Sequence, residues 1–203
     1  MTSSQPPAWA QAVLSLFLPA RGRNGVLGDL LEEYREAQLP ARGAPGANMW
    51  YLRQAFGFIM RGSLPWALLA CAIFIGRDIL DLTLPTNDFH MRAVVTTYAS
   101  ISAFAMGGFV TAWRSRRAWS GTALGAIAAV ITAVIATVYA LTAGQLLLNA
   151  AFAANPRAYA ALVRAADVPV VPIIIVGVLA GSIGGGIGRV CRGVVVPLKG
   201  RVS

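Results

Sequence analysis

Charge is scarce in this chain. Lys, Arg, Asp and Glu together make up 12% of its 203 residues, where a soluble domain devotes about a quarter to charge. With 57% hydrophobic residues and a mean hydropathy of +0.64, that shortage excludes an ordinary soluble globule. Histidine is scarcer still. His90 stands alone in a short connection near Asp88, and a metal site needs three or four ligands, so no metal site is expected. Cysteine is limited to Cys71, inside a hydrophobic run, and Cys191, just beyond another. They fall at different depths and form no CxxC pair, so both read as small buried hydrophobes. Ser100, Ser102, Ser120 and Ser182 have no evident base beside them and read as helix-to-helix hydrogen-bonding residues, which leaves no catalytic set.

Other absences narrow the partners. The chain is basic, with a net charge of +9 and a pI near 10.8, yet it has no zinc finger, aromatic RNA-binding strand or long basic helix. Nucleic acid is therefore excluded as a partner. The run GGGIGR, residues 184 to 189, lacks the lysine and hydroxyl residue of a phosphate loop and lies in an apolar segment, so no nucleotide or other cofactor is expected. The first twenty residues carry no basic head before their apolar stretch, unlike a secretory signal peptide.

What the chain does have is four long apolar runs, at about 62–82, 92–113, 120–144 and 169–189. Each is close to the twenty or so residues needed to cross a hydrocarbon core as a helix. The runs are continuous rather than alternating, which argues against a barrel. The predicted fold is an all-α membrane protein: an N-terminal cytoplasmic helical hairpin followed by four transmembrane helices.

Arginine and lysine set the orientation. Arg21, Arg23, Arg35, Arg42, Arg53 and Arg61 precede the first run; Arg114, Arg116 and Arg117 join the second to the third; Arg189, Arg192, Lys199 and Arg201 follow the fourth. The opposite side has Arg92, Arg157 and Arg164, while Arg77 lies in or near the first run. By the positive-inside rule both termini are expected in the cytoplasm. A short surface helix, with Asn155 as its cap and Pro156 at its first position, is expected in the second external connection.

Ahead of the membrane, residues 1–38 read as a helical hairpin, with helices at about 8–18 and 24–38 joined through Pro19 and the RGRN turn. Residues 39–48, with two prolines, two glycines and no periodicity, read as a loop, and 49–61 as an amphipathic helix at the headgroup level. Residues 62–189 form the four-helix domain and 190–203 a basic tail. The second hairpin helix contains GDLLEEYRE, whose Asp29, Glu32, Glu33 and Glu36 make an acidic face on a basic protein. Two uses are open: pairing with the protein's own Arg53, Arg61 or RSRR loop, or docking another protein.

Within the spans, Arg77, Asp78 and Asp81 form a polar cluster near the outer interface, Arg77 and Asp81 sharing a helical face. Gly177, Gly181, Gly184, Gly185 and Gly188 recur at four-residue spacings that let helix backbones approach closely, within the chain or between copies. Gly121 with Gly125, and Gly107 with Gly108, offer matching small residues in the third and second spans.

The N-terminal block has a further property. Its leucine-rich first helix ending in LP, then VLGDLLEEYRE, a variable linker, and WYLRQA leading into the membrane resemble the permease prefix domain, a short cytoplasmic module ahead of the first span in some bacterial ABC-type permeases of the macrolide-exporter and lipoprotein-release type. The resemblance covers residues 13–58 and places Pro19, Gly28, Asp29, Leu30, Glu33, Tyr34, Trp50, Tyr51 and Gln54 at family-like positions. It implies a docking module and a setting in a bacterial inner membrane. Those permeases also carry a large extracytoplasmic domain, for which the connections here are too short. The expected function is thus a non-enzymatic accessory or regulatory subunit whose partners are the lipid bilayer and either another protein or further copies of itself. The alternative is a small transporter or permease component acting as an oligomer.

Overall fold

The computed structural model describes residues 5–83, 89–142 and 170–199. Among these residues all regular structure is helical, and four helices are long and apolar enough to cross a membrane. The protein is an integral, multi-pass membrane protein. The helix expected at Asn155 and Pro156 lies outside the described residues, as do Arg157 and Arg164.

Helix α1 (Ala8–Phe17) starts after Pro6 and Pro7 and ends where Leu18 turns extended, the conformation imposed on a residue that precedes a proline. The chain reverses through Gly22, whose φ of 86° lies in the left-handed region open to glycine. Helix α2 (Arg23–Glu33) continues into a π-helical turn, Tyr34–Gln38, closed by the Leu39 N–H donating to the Tyr34 carbonyl. Pro40 follows at once. A proline ring collides with the carbonyl four residues back in a regular helix, and the widened turn moves that carbonyl aside.

Helix α3 (Leu39–Thr83) corrects two expectations. The 39–48 stretch is helical rather than a loop, with the break confined to Gly43 at φ 65° and ψ 174°. Glycine allows the sharp turn and Pro45 sits in the first turn of the restarted helix, so the residues that suggested a loop instead punctuate two helices. Residues 49–61 are not a separate helix either, because α3 runs from there into the first span without another backbone break, even at Pro65.

The N-terminal unit is accordingly three-helical. Helix α2 itself contains no buried residue, and α1 packs more on α3 than on α2. The core consists of Ala10 and Leu14 from α1, Leu18 just past its end, Tyr34 from the π turn, and Ala47, Tyr51 and Ala55 from α3. Tyr34 and Tyr51 meet edge to face at 6.2 Å and 89°, while the Tyr34 hydroxyl donates to Asn48 Oδ1 at 2.7 Å. The tyrosines of LLEEYRE and WYLRQA thus hold the two segments together.

Helices α4 (Phe89–Ser115), α5 (Trp119–Leu141) and α6 (Val170–Lys199) complete the bundle. His90 lies in the first turn of α4 rather than in a connection. Helix α6 fills the groove between α4 and α5, and glycine makes this approach feasible. A Cβ added to Gly181 would lie 2.5 Å from the Gly121 carbonyl oxygen and 2.8 Å from the Gly125 Cα. Gly177 and Gly185 meet the same helix at Ala129 and at Gly121 and Ala118. Gly184 and Gly188 meet α4 at the carbonyls of Ala105 and Phe109. The glycine contacts lie within one chain. Between helices in lipid the attraction is mainly van der Waals contact, so the closeness itself supplies the stability.

Two substitutions five residues apart therefore have opposite consequences. Gly181→Ala is expected to lower stability by about 1–3 kcal/mol, since backbone rather than a flexible side chain occupies the space. Gly186→Ala, at a position with nothing within 4 Å, is expected to be neutral or to stabilise the helix by up to about 1 kcal/mol. Thermal unfolding of both variants in one detergent measures the difference, and equal midpoints would contradict the packing.

Candidate functional site

The last four carbonyls of a helix have no partner inside it. At the end of α4 all four are taken, by three different parts of the chain. The Ala112 carbonyl accepts from the Arg116 N–H at 2.9 Å, with Arg116 left-handed at φ 64°, the geometry of a left-handed helix cap on a residue other than glycine. The Trp113 carbonyl accepts from Arg192 Nη1 of α6. The Arg114 carbonyl accepts from the Ala20 N–H at 2.9 Å. The Ser115 carbonyl accepts from Arg23 Nη2 at 2.6 Å. Two of these donors are guanidinium groups at the negative end of a helix dipole, where cations are favoured.

Arg23 joins the N-terminal unit to the bundle. Its Nη2 also donates to the Leu18 carbonyl at 3.2 Å, linking the end of α1 to the end of α4, and burial together with the nearby charge of Arg117 holds its pKa below the usual arginine value. Its Nε is buried with no hydrogen-bond partner among the described residues. Arg117 Nη1 donates to Ser15 Oγ at 2.9 Å, and Gly62 of α3 faces Phe17, with 3.2 Å separating an added Cβ from the ring. The α4–α5 turn is itself tightly closed. Buried Ser115 donates to Ser120 Oγ at 2.7 Å, and the Arg117 N–H donates back to Ser115 Oγ at 3.3 Å. On the other flank Arg192 lies 5.9 Å from the Trp113 ring centre, and Phe109 stacks on Trp113 at 5.7 Å.

The RSRR loop therefore engages the end of α1 and the hairpin turn. Asp29, Glu32, Glu33 and Glu36 are exposed. Among the described residues none of the four is ion-paired, and the hydrogen bond on this face is Gln38 Nε2 donating to Glu33 Oε1 at 3.3 Å. The acidic face is not closed on Arg53 or Arg61, which are also exposed.

In the bundle, Arg77 and Asp78 are half-buried. The Tyr139 hydroxyl of α5 is buried with no hydrogen-bond partner among the described residues, a placement that an aromatic late in an apolar run does not signal. The Asp81 side chain lies outside the described residues. Ser182 pairs with Thr122 across α5 and α6 at 2.9 Å, whereas Ser100 and Ser102 bond back to carbonyls four residues earlier in their own helix. Among the described residues, no three His, Cys, Asp or Glu side chains are grouped to hold a metal. Neither a family model, nor a curated protein, nor a solved structure matches this chain.

Two experiments probe the junction. Arg23→Gln should weaken docking of the N-terminal unit by about 1.5–3 kcal/mol, the usual range for a hydrogen bond from a charged donor. It should show as faster amide exchange at Ala20 and faster tryptic cleavage after Arg21; unchanged exchange would contradict the linkage. The second concerns Tyr51, whose phenol burial pushes above the ordinary value of 10.0. The folded unit then holds that proton more tightly than the unfolded chain, so this stabilisation is complete below about pH 10 and is lost as pH rises through the folded value. Thermal unfolding followed from pH 9 upward should show a steeper alkaline decline in the parent than in Tyr51→Phe.

Proposed function

We propose that this protein is a non-enzymatic accessory or regulatory subunit of a bacterial inner-membrane complex, with both termini in the cytoplasm and its N-terminal unit serving as a docking module. One observation carries the reading: the unit is fixed to the bundle through Arg23, Arg117 and Ala20, while its four-carboxylate face is left exposed and unpaired among the described residues. A rigid mount with an outward charged face suits partner selection, because complementary charge steers and orients association. The mount also gives a bound partner a route to the bundle, since Arg23 contacts the end of α4 directly. The permease-prefix resemblance of residues 13–58 supports the same role, as does the thirteen-to-three bias of basic residues toward this side.

Gentle solubilisation from the native host is expected to recover a defined partner chain. Neutralising the face as Asp29→Asn, Glu32→Gln, Glu33→Gln and Glu36→Gln should release it with the fold intact. A complex that survives all four changes would overturn the docking role.

A further inference from the structure

On a flank of α3, beside the face that buries Tyr51, is a cleft of about 380 Å³ lined by Arg42, Gly46, Met49, Trp50, Arg53 and Gln54. Helical phase explains its position. Ala47, Tyr51 and Ala55 bury one face of α3, and Met49 and Arg53, each two residues from Tyr51, point the opposite way. Gly46 makes room for Arg42, whose Cβ would lie 2.6 Å from a Cβ added at Gly46. Arg42 and Arg53 are exposed, and among the described residues neither forms an ion pair or hydrogen bond. Two guanidinium groups flanking an apolar and aromatic floor form a receptor for an amphipathic acidic segment.

The protein carries such a segment itself. Asp29, Glu32, Glu33 and Glu36 are four of its eight acidic residues, and the same phase argument, taken from buried Tyr34, directs Asp29, Glu32 and Glu36 away from α3. The acidic face points away from α3, whereas the cleft lies on a flank of α3 itself, so the face does not turn toward its own cleft. Both lie at one depth. At about 1.5 Å per residue, Glu33 is roughly 15 Å along α2 from Arg23, and Arg53 roughly 14 Å along α3 from Gly62. Arg23 and Gly62 are themselves level with the end of α1, through Leu18 and Phe17.

We infer that the cleft receives the acidic helix of a second copy of this chain, giving a head-to-tail contact between N-terminal units. The inference rests on the docking role proposed above and names its partner. Two different faces of a subunit make a heterologous contact, which closes into a ring or extends as an array. Sharing one membrane holds both faces in the same plane and raises their effective concentration, so modest exposed ion pairs suffice.

Charge reversal tests it in the full-length protein in nanodiscs and mild detergent. Differently tagged wild-type copies should co-purify at low salt and separate as salt rises. A cleft-reversed protein (R42E, R53E) and a face-reversed protein (E32R, E33R, E36R) should each lose self-association by about tenfold or more, since each then opposes like charges. Mixed together, the two reversed proteins should pair again, because the acidic face of the first meets the intact cleft of the second and the two reversed surfaces also match. That rescue shows both variants are folded. Wild-type copies that stay monomeric at every salt concentration, a reversed variant that associates as well as wild type, or a mixture that fails to pair would each overturn the contact. If copies stay apart while a different chain still co-purifies through the acidic face, the self-contact fails and the docking role stands.

Discussion

The structure depends on the carbonyl end of α4. A helix that stops near a membrane boundary presents four acceptors with no intrahelical donors, and leaving them dry is expensive. Here one is closed by the turn itself, one by an arginine of the last span, and two by the N-terminal hairpin. Satisfying the backbone of one helix therefore fixes the relative positions of the N-terminal unit, the α4–α5 turn and α6. The arginines around this end have two uses. They make this end of the bundle strongly basic, and individually Arg23 and Arg192 serve as donors to a helix terminus.

The membrane part is built on a different economy. Among the described residues, serine and threonine hydroxyls bond largely within their own helices, as Thr96 and Ser100 do, and beside the Thr122–Ser182 pair and the Thr132 bond to the Ala67 carbonyl they are not what brings the spans together. Glycine backbone contacts join them instead, with Gly181 facing α5 and also approached by Gly108 of α4. Cys71 fits the same pattern, as a small buried side chain whose thiol meets the Thr132 carbonyl at 3.9 Å.

The spans were legible because a long apolar run has one physical solution in lipid, a helix with its backbone satisfied internally. Helix α1 was equally clear, bracketed by Pro7 and Pro19. The connection at 39–48 was not, since Pro40, Gly43 and Pro45 punctuate helices as readily as loops, and only the burial of Ala47 and Tyr51 against α1 and the π turn decides between them. The acidic face could be read as a face but not as unpaired, because pairing depends on where the RSRR loop points. The left-handed Arg116 and the turn closed by Ser115 and Ser120 set that direction, and neither has a signature in the sequence. The roles of Arg23 and Arg192 as helix-end donors were hidden for the same reason: they join positions 92 and 79 residues apart.

The placement of α6 has a consequence for how the protein is made. The groove that α6 fills is formed by helices synthesised well before it, so Gly121 and Gly125 face lipid until the last span emerges. Insertion of that span then closes the groove and delivers Arg192 to the Trp113 carbonyl in one event. Completion of the bundle therefore waits on α6, and a chain lacking that helix would present an open glycine seam on α4 and α5.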